Sequence, residues 1–325
     1  MCTAISCKGD RHYFGRTLDL EYSYCESVTI MPRHYPISFR HLPPRYASFA
    51  IIGMAYVVED YPLYYDASNE KGLSMAGLRF LGNACYREVE EGKDNVTSFE
   101  LILWILSQCQ SVSQAEELLK TINVVDENFR QDLPASPLHW MIADQERAIT
   151  VECVKEGIRV YDNPVGVLTN NPPFDIQLFN LSNYRHISPR EPKNQFSKEV
   201  SLTVYSRGMG GLGLPGDMSS MSRFVRGSFL NLNSVSPETE EGKVSQFFHI
   251  MDNVAQIRGS VVTEDGNYEL TVYTSCCNTQ KGIYYYTTYE NRGINAVDLH
   301  RENLEGDRLI SYPLRKELEI HFQNR

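Results

Sequence analysis

The sequence predicts an α+β protein in which two mostly antiparallel sheets are stacked between layers of helices, in one domain over residues 1–325. Three observations predict it. Short runs rich in β-branched and aromatic residues, bounded by turns, occur at the start, middle and end of the chain. Two stretches with capping-box sequences and wide apolar faces lie between those runs. The chain has 325 residues, 42% hydrophobic and 22% charged, enough to bury a large core in an ordinary globular composition.

The elements follow in order. Met1-Cys2-Thr3-Ala4-Ile5-Ser6 is an apolar strand, and a polar turn at Lys8-Gly9-Asp10 leads into a second strand from Tyr13 to Ser23. Together they make a hairpin. Residues 28–31 and 49–54 are extended, with turns between them that include Pro43-Pro44. Residues 61–66, Tyr-Pro-Leu-Tyr-Tyr-Asp, read as an irregular aromatic loop, packed or facing a substrate. Residues 72–80 form a strand of small residues entering a tight site. Thr97-Ser98-Phe99-Glu100 is a capping box before an apolar face of Phe99, Leu101, Ile102, Trp104, Ile105 and Leu106. Ser113-Gln114-Ala115-Glu116 is a second, opening a helix through Leu118, Leu119 and Ile122. Residues 139–144, 149–154 and 158–162 form an antiparallel meander. Residues 166–173 end a strand in an Asn-rich turn stopped by Pro172-Pro173, where side-chain amides are free to face a site. Helices at 219–231 and 246–251 precede strands at 268–274, 282–289 and 309–312. Alternating Tyr and Thr suit a strand with one exposed face.

Charge and spacing exclude several classes. A net charge of −10 and a pI near 5.4 oppose a general nucleic-acid surface. No apolar run approaches 18 residues, so no membrane span is expected. No basic region followed by an apolar run opens the chain, so no secretory leader is expected either. A cytoplasmic location follows, and with it reduced thiols for the eight cysteines Cys2, Cys7, Cys25, Cys85, Cys109, Cys153, Cys276 and Cys277. No pair has C-x-x-C spacing, Cys276 and Cys277 face opposite sides of a strand, and no H-x-x-x-H occurs. Neither metal nor cofactor is expected. Five glycines between Tyr205 and Asp217 suggest a phosphate cradle, but they lack G-K-[ST] and a preceding apolar strand. The segment near 185–220 reads instead as a mobile or subunit-contacting loop.

The chemistry points to the first hairpin. Cys2 follows the initiator methionine and is small enough for Met1 to be trimmed readily, which would place a thiol and a free α-amine on one residue. An α-amine with a pKa of about 7.7–8.0 serves as a base near neutrality, as it does for N-terminal nucleophiles. A thiol is an intrinsically strong nucleophile. The hairpin brings back Arg16, to favour a thiolate, and Asp19, to hold the α-ammonium. Taken singly, Cys2 is equally an ordinary residue near a chain end, and Arg16 with Asp19 a surface pair closing a hairpin.

Met-Cys-Thr-Ala-Ile followed by Phe14-Gly15-Arg16-Thr17-Leu18-Asp19-Leu20-Glu21-Tyr22-Ser23 resembles the choloylglycine hydrolase family, which comprises bile salt hydrolases and penicillin V acylases. The resemblance runs the whole chain and is closest to the bile salt hydrolases of Gram-positive gut bacteria. It implies an N-terminal-nucleophile hydrolase with an αββα sandwich. It further implies Cys2 as nucleophile, Arg16 and Asp19 beside it, Asn170 as a side-chain oxyanion donor and Arg223 as added positive potential. The implied reaction is hydrolysis of glycine- or taurine-conjugated bile salts by a homotetramer. Penicillin V or other N-acyl amides, and acyl transfer to an amine, are the alternatives on the same chemistry. One position departs from the family, whose bile salt hydrolases usually have Asn where this chain has Arg79. The resemblance implies that its backbone N–H can still serve an oxyanion hole and that its side chain would face the leaving amino acid as a partner for carboxylate or sulfonate. That departure also raises a catalytically weak bile-acid-binding protein as an alternative. Leu18, Val58, Tyr65, Phe129, Leu133 and Leu138 align with the family's acyl pocket.

Overall fold

The structure, a computed structural model, describes residues 1–324. A six-stranded sheet has the order β14 (Val167–Leu168), β1 (Cys2–Lys8), β2 (His12–Leu20), β15 (Leu270–Asn278), β16 (Ile283–Thr288) and β17 (Asn295–Asp298). An eight-stranded sheet has the order β13 (Gly157–Asp162), β12 (Ala148–Val154), β11 (Leu138–Ala143), β8 (Ser74–Arg79), β7 (Tyr61–Asn69), β6 (Ile51–Val58), β3 (Ser27–Met31) and β18 (Ile310–Pro313). The paired strands in both sheets are antiparallel. Two small pairs complete the strands: β4 (Pro36–Ile37) with β5 (Arg45–Tyr46), and β9 (Asp94–Thr97) parallel to β10 (Ile122–Val125). The helices are α1 (Leu101–Leu106), α2 (Val112–Leu118), α3 (Phe174–Asn180), α4 (Ser220–Asn233) and α5 (Glu240–Asp252).

Alternation along the strands builds two cores. Ile5, Phe14 and Tyr273 of the six-stranded sheet, Val28, Met54, Leu78 and Met141 of the eight-stranded one, and Phe224, Phe247 and Met251 of α4 and α5 belong to the first. The opposite face of the eight-stranded sheet, with Ile51, Met75, Trp140 and Val151, packs under Trp104 of α1 and Ala115 of α2 in the second. The result is helices, two sheets, helices, the αββα arrangement that the resemblance implied. The two sheets are also joined by polar contacts. Asp66 of β7 is buried and accepts hydrogen bonds from Tyr273 Oη (2.7 Å), Tyr284 Oη (2.7 Å) and Ser275 Oγ (2.9 Å). Burial raises its pKa, and the charge of Arg16 acts against that rise.

Several elements differ from the sequence reading. Residues 61–66 are not a loop but the first half of β7. Glu100 accepts the Thr97 N–H (2.9 Å), while no side chain caps α1 in the forward direction, so only the backward half of the first capping box forms. The second helix starts earlier, with Ser111 rather than Ser113 as its N-cap and Gln114 N–H as the bond it accepts. Ser219 caps α4, and Thr239 caps α5 well before residue 246. Helix α3, the parallel pair β9–β10 and strand β17 carried no sequence signal strong enough to be read.

His12 shows how polar groups are enclosed in this core. It is fully buried, with Nε2 2.9 Å from Ser6 Oγ and Nδ1 3.0 Å from Thr279 Oγ1. Burial lowers its pKa from 6.5 to about 3. A depressed folded-state pKa gives stability that is present above the unfolded value and is lost as pH falls, here from about 6.5 towards about 3. Urea midpoints measured across that range should therefore fall with acid, and His12→Gln should flatten the fall. The same variant should be less stable at neutral pH, by about 1 kcal/mol, because the Thr279 hydroxyl loses its ring partner while the amide stays near Ser6 Oγ. An acid slope identical to wild type would remove His12 as its source.

Candidate active site

Strand β1 lies between β14 and β2, so the first residues of the chain are enclosed in a sheet. Cys2 is 4% exposed and pairs with Leu18 across the hairpin. Its backbone N–H donates to Asn170 Oδ1 at 2.9 Å. Arg223 Nη2 donates to the same oxygen at 2.8 Å, and Arg223 Nη1 donates to the Cys2 carbonyl (2.5 Å) and to Thr3 Oγ1 (2.7 Å). Arg223 is fully buried on α4, and burial lowers its pKa while Asp19 and Cys2 act against that.

Arg16 stands opposite Ala4 in the hairpin. Its Nε donates to Thr17 O (3.1 Å), and Nη1 donates to Tyr65 O (3.0 Å) and Gly77 O (2.5 Å) of the other sheet. Burial opposes its charge, yet the acidic groups of Cys2, Tyr273, Asp66 and Asp19 outweigh burial and hold its pKa above the ordinary value. The Asp19 carboxylate is enclosed as well, accepting from Thr17 Oγ1 (3.1 Å) and Thr271 Oγ1 (2.6 Å). Met1 precedes Cys2 in this structure. The Met1 ammonium donates to the Asp19 carbonyl (2.7 Å) and pairs with Glu269, and burial lowers its pKa. The Cys2 nitrogen is therefore a peptide N–H held by Asn170, and Asp19 touches residue 1 through its backbone.

Asn170 is delivered by a tight local construction. Asn163 Oδ1 accepts the Gly166 N–H (2.9 Å) and its Nδ2 donates to Val167 O (2.9 Å). Gly166 has φ 63°, and a Cβ there would fall on the Ser6 carbonyl, so glycine is what lets β14 close onto β1. Beyond β14, Gln177 Nε2 donates to the carbonyls of Asn170 (2.6 Å) and Pro172 (2.9 Å), and Asn170 N–H donates to Ser220 Oγ (2.8 Å).

The second edge of the site comes from β8. Asn170 Nδ2 donates to Arg79 O at 2.8 Å. Phe80 N–H bonds the Pro137 carbonyl (2.8 Å), so Arg79, one residue earlier and opposite Leu138, turns its N–H and C=O away from β11. The Arg79 N–H thus faces the same side as the carbonyl that Asn170 holds. Its side chain is exposed.

The structure gathers Cys2, Arg16, Asp19, Asn170, Arg223 and the Arg79 backbone. Leu18, Tyr65 and Leu138 adjoin them: Leu18 across from Cys2, Tyr65 through its carbonyl on Arg16, Leu138 across from Arg79. Val58, Phe129 and Leu133 are linked to one another through Tyr61 and the loop backbone. Val58 pairs with Tyr61, the Tyr61 and Phe129 rings are 5.6 Å apart, and Phe129 N–H donates to Leu133 O (3.1 Å). Sequence reasoning missed Thr17, Thr271, Glu269, Ser220 and Gln177. Among the described residues no group of three or more His, Cys, Asp or Glu is placed to hold a metal, and no helix is long and apolar enough to cross a membrane. The eight cysteines are free thiols.

Asn170→Ala removes partners from the buried Cys2 N–H, one buried Arg223 N–H and the part-buried Arg79 carbonyl. Each unpaired group costs roughly 1–3 kcal/mol. The thermal midpoint of the variant should drop by several degrees, and a midpoint equal to wild type would show that this network is not holding the two sheet edges together.

A family model described as linear amide C–N hydrolases, choloylglycine hydrolase family, matches residues 2–312. The chain is 55% identical over 324 residues to the bile salt hydrolase/transferase of Lactiplantibacillus plantarum, covering all of both chains. It is 40% identical over 329 residues to the bile salt hydrolase/transferase of Clostridium perfringens, again covering all of both. Among solved structures it is similar to the C2A mutant of conjugated bile acid hydrolase from Clostridium perfringens, with TM-score 0.92, 38% identity and full coverage of both chains. It shares its fold with penicillin V acylase from Agrobacterium tumefaciens, at TM-score 0.77 and 19% identity over 95% of this chain and 90% of that one.

Proposed function

The chain belongs to the choloylglycine hydrolase family and is a hydrolase acting on linear amide bonds; from that premise we propose that it cleaves the amide bond of glycine- or taurine-conjugated bile salts through Cys2. The substrate reading is carried by the 55% identity along the entire chain to a bile salt hydrolase/transferase. The alternative of a catalytically weak binding homologue, raised by Arg79, finds no support in that comparison. The name of that relative also covers a transferase, which favours amine acyl transfer as a second outcome of the same acyl intermediate.

In this reading, removal of Met1 turns the Cys2 nitrogen into an amine that accepts the thiol proton. Arg16 and Arg223, both buried beside Cys2, favour the thiolate electrostatically. The thiolate attacks the amide carbonyl. One Asn170 Nδ2 hydrogen is already on Arg79 O, so the second, together with the Arg79 N–H on the same strand edge, meets the developing oxyanion. The Cys2 ammonium returns its proton to the leaving nitrogen, glycine or taurine departs, and water then splits the thioester and releases the bile acid. The reading also takes the enzyme as a cytoplasmic homotetramer. Exposed Phe196, Leu202 and Tyr205 in the 185–220 loop would form its assembly surface.

The test combines intact mass, iodoacetamide and turnover on one sample. Mass spectrometry should find Met1 absent, Cys2 should alkylate fastest of the thiols, and hydrolysis of glycocholate and taurocholate should vanish with that alkylation. Retention of Met1 in an active sample, or activity that survives full modification of Cys2, would overturn the mechanism. Penicillin V turnover without bile salt turnover would move the substrate to the other branch of the family.

Arg79 is the expected discriminator of the leaving group. Its guanidinium pairs with the carboxylate of glycine or the sulfonate of taurine. Arg79→Asn should change the ratio of kcat/KM for glycocholate and taurocholate by about fivefold or more, in line with one charge-assisted contact. An unchanged ratio would place the side chain outside the amine subsite.

A further inference from the structure

His139 and Glu152 take no part in the steps above, yet both are fully buried between the two sheets. His139 lies on β11 in register with Leu78 of β8, on the face that Met141 presents to the inner core. Its Nδ1 is 3.1 Å from Glu152 Oε1, and its Nε2 is 2.9 Å from the Thr169 carbonyl. The Phe80 ring stacks on the imidazole, with centroids 4.3 Å apart and planes 6° apart. Glu152 Oε1 also accepts the N–H of Phe174, the first residue of α3 (3.0 Å). One imidazole therefore touches both edges of the site: Thr169 immediately precedes Asn170, and Phe80 immediately follows Arg79.

We propose that His139, oriented by Glu152, is a positioning residue that fixes the Asn170 side-chain amide relative to the Arg79 backbone N–H. The proposal rests on the amide-cleavage mechanism above, in which those two groups hold the oxyanion. They come from different sheets, so their spacing is set only by what crosses between the sheets. The direct bond from Asn170 to Arg79 O is one crossing, but it occupies the amide that must also meet the oxyanion. Asn171 Nδ2 donates to Leu81 O (2.6 Å) as an exposed second crossing, and the His139 bridge is a buried third that uses no reacting group. Its chemistry requires a side chain that presents a donor to the Thr169 carbonyl. A phenyl ring could stack on Phe80 but would leave the Thr169 carbonyl without that donor and the Glu152 carboxyl with the Phe174 N–H alone. Oxyanion donors act through preorganisation, and a misplacement of about 1 Å costs on the order of 10²-fold.

The test separates the two ring nitrogens. His139→Gln puts an amide near the Nε2 position and keeps a donor for Thr169 O. His139→Asn puts one near Nδ1, keeping Glu152 and losing Thr169. With glycocholate, His139→Asn should lower kcat about tenfold or more with KM changed less than about twofold, as expected for an interaction made in the transition state. His139→Gln should recover most of kcat. Cys2 alkylation by iodoacetamide should proceed at the wild-type rate in both, because the groups that favour the thiolate are untouched. The proposal fails if His139→Asn keeps wild-type kcat, if the two variants fall equally, or if alkylation falls along with kcat. Should His139→Asn not fold, Glu152→Gln tests the same bridge: a lower kcat with preserved alkylation supports it, and an unchanged kcat overturns it. If the wild-type protein cleaves penicillin V and no bile salt, the substrate reading falls alone and the same variants are read on penicillin V.

Discussion

Two guanidinium groups enclosed beside the first strand set the terms for the rest of the fold. Arg16 and Arg223 are 1% and 0% exposed. An enclosed charge without partners costs several kcal/mol, so the chain must bring acceptors to both. For Arg16 these are carbonyls from two strands of the opposite sheet, Tyr65 and Gly77, with Asp66 and Asp19 supplying negative charge nearby. For Arg223 they are Cys2 O, Thr3 Oγ1, Asn170 Oδ1 and Met218 O. The sheets can stack only in a way that keeps these acceptors in place. Apolar packing holds the layers together. The arginines determine which strand edges meet.

That dependence explains what was legible in the sequence. The β1–β2 hairpin is local, its turn is polar and its strands are apolar, so Cys2, Arg16 and Asp19 could be placed together from spacing alone. The meander of β11, β12 and β13 was legible for the same reason. Asn170 and Arg223 carry no local signal, since an Asn in a turn and an Arg in a helix are commonplace, and only the family resemblance pointed to them. The partners of the site are less visible still: Thr271 reaches Asp19 across 252 positions and Tyr273 reaches Asp66 across 207. Residues 61–66 were misread because Pro62 and three tyrosines hide the period of two. Pro62 stands opposite Val57, and β8 pairs with β7 at Asp66–Ser68, so Pro62 lies where β7 has no pairing on its β8 side and can hold a proline.

The pocket residues divide on the same principle. Leu18, Tyr65 and Leu138 were carried over from the resemblance, and each lies across from, or bonds to, a residue of the cluster. Phe129 packs on Tyr61 and Phe99, with the Arg40 guanidinium 5.4 Å above its ring. Phe129 and Leu133 lie between β10 and β11, where the pairing is a single Arg130–Leu133 bridge, so alignment along the sequence places them less firmly than residues within strands.

The charges nearest Cys2 matter more than the net charge of the chain. The protein carries −10 overall, and the proposed substrates are anions at the amine end. Charges separated by more than about 8 Å are largely screened at physiological ionic strength, so the distant acidic surface weighs little at Cys2. Arg16 and Arg223 act there beside the buried Asp19 and Asp66, and a guanidinium stays charged even where burial lowers its pKa, as it does for Arg223. The buried pair carries no mobile proton of its own, so its field at the thiol is constant over the working pH range. Proton transfer is then left to the one weakly basic group in the proposed mechanism, the Cys2 amine. That division of labour, fixed charge from arginine and mobile proton from the amine, requires the amine to lie inside the sheet, where β1 places residue 2.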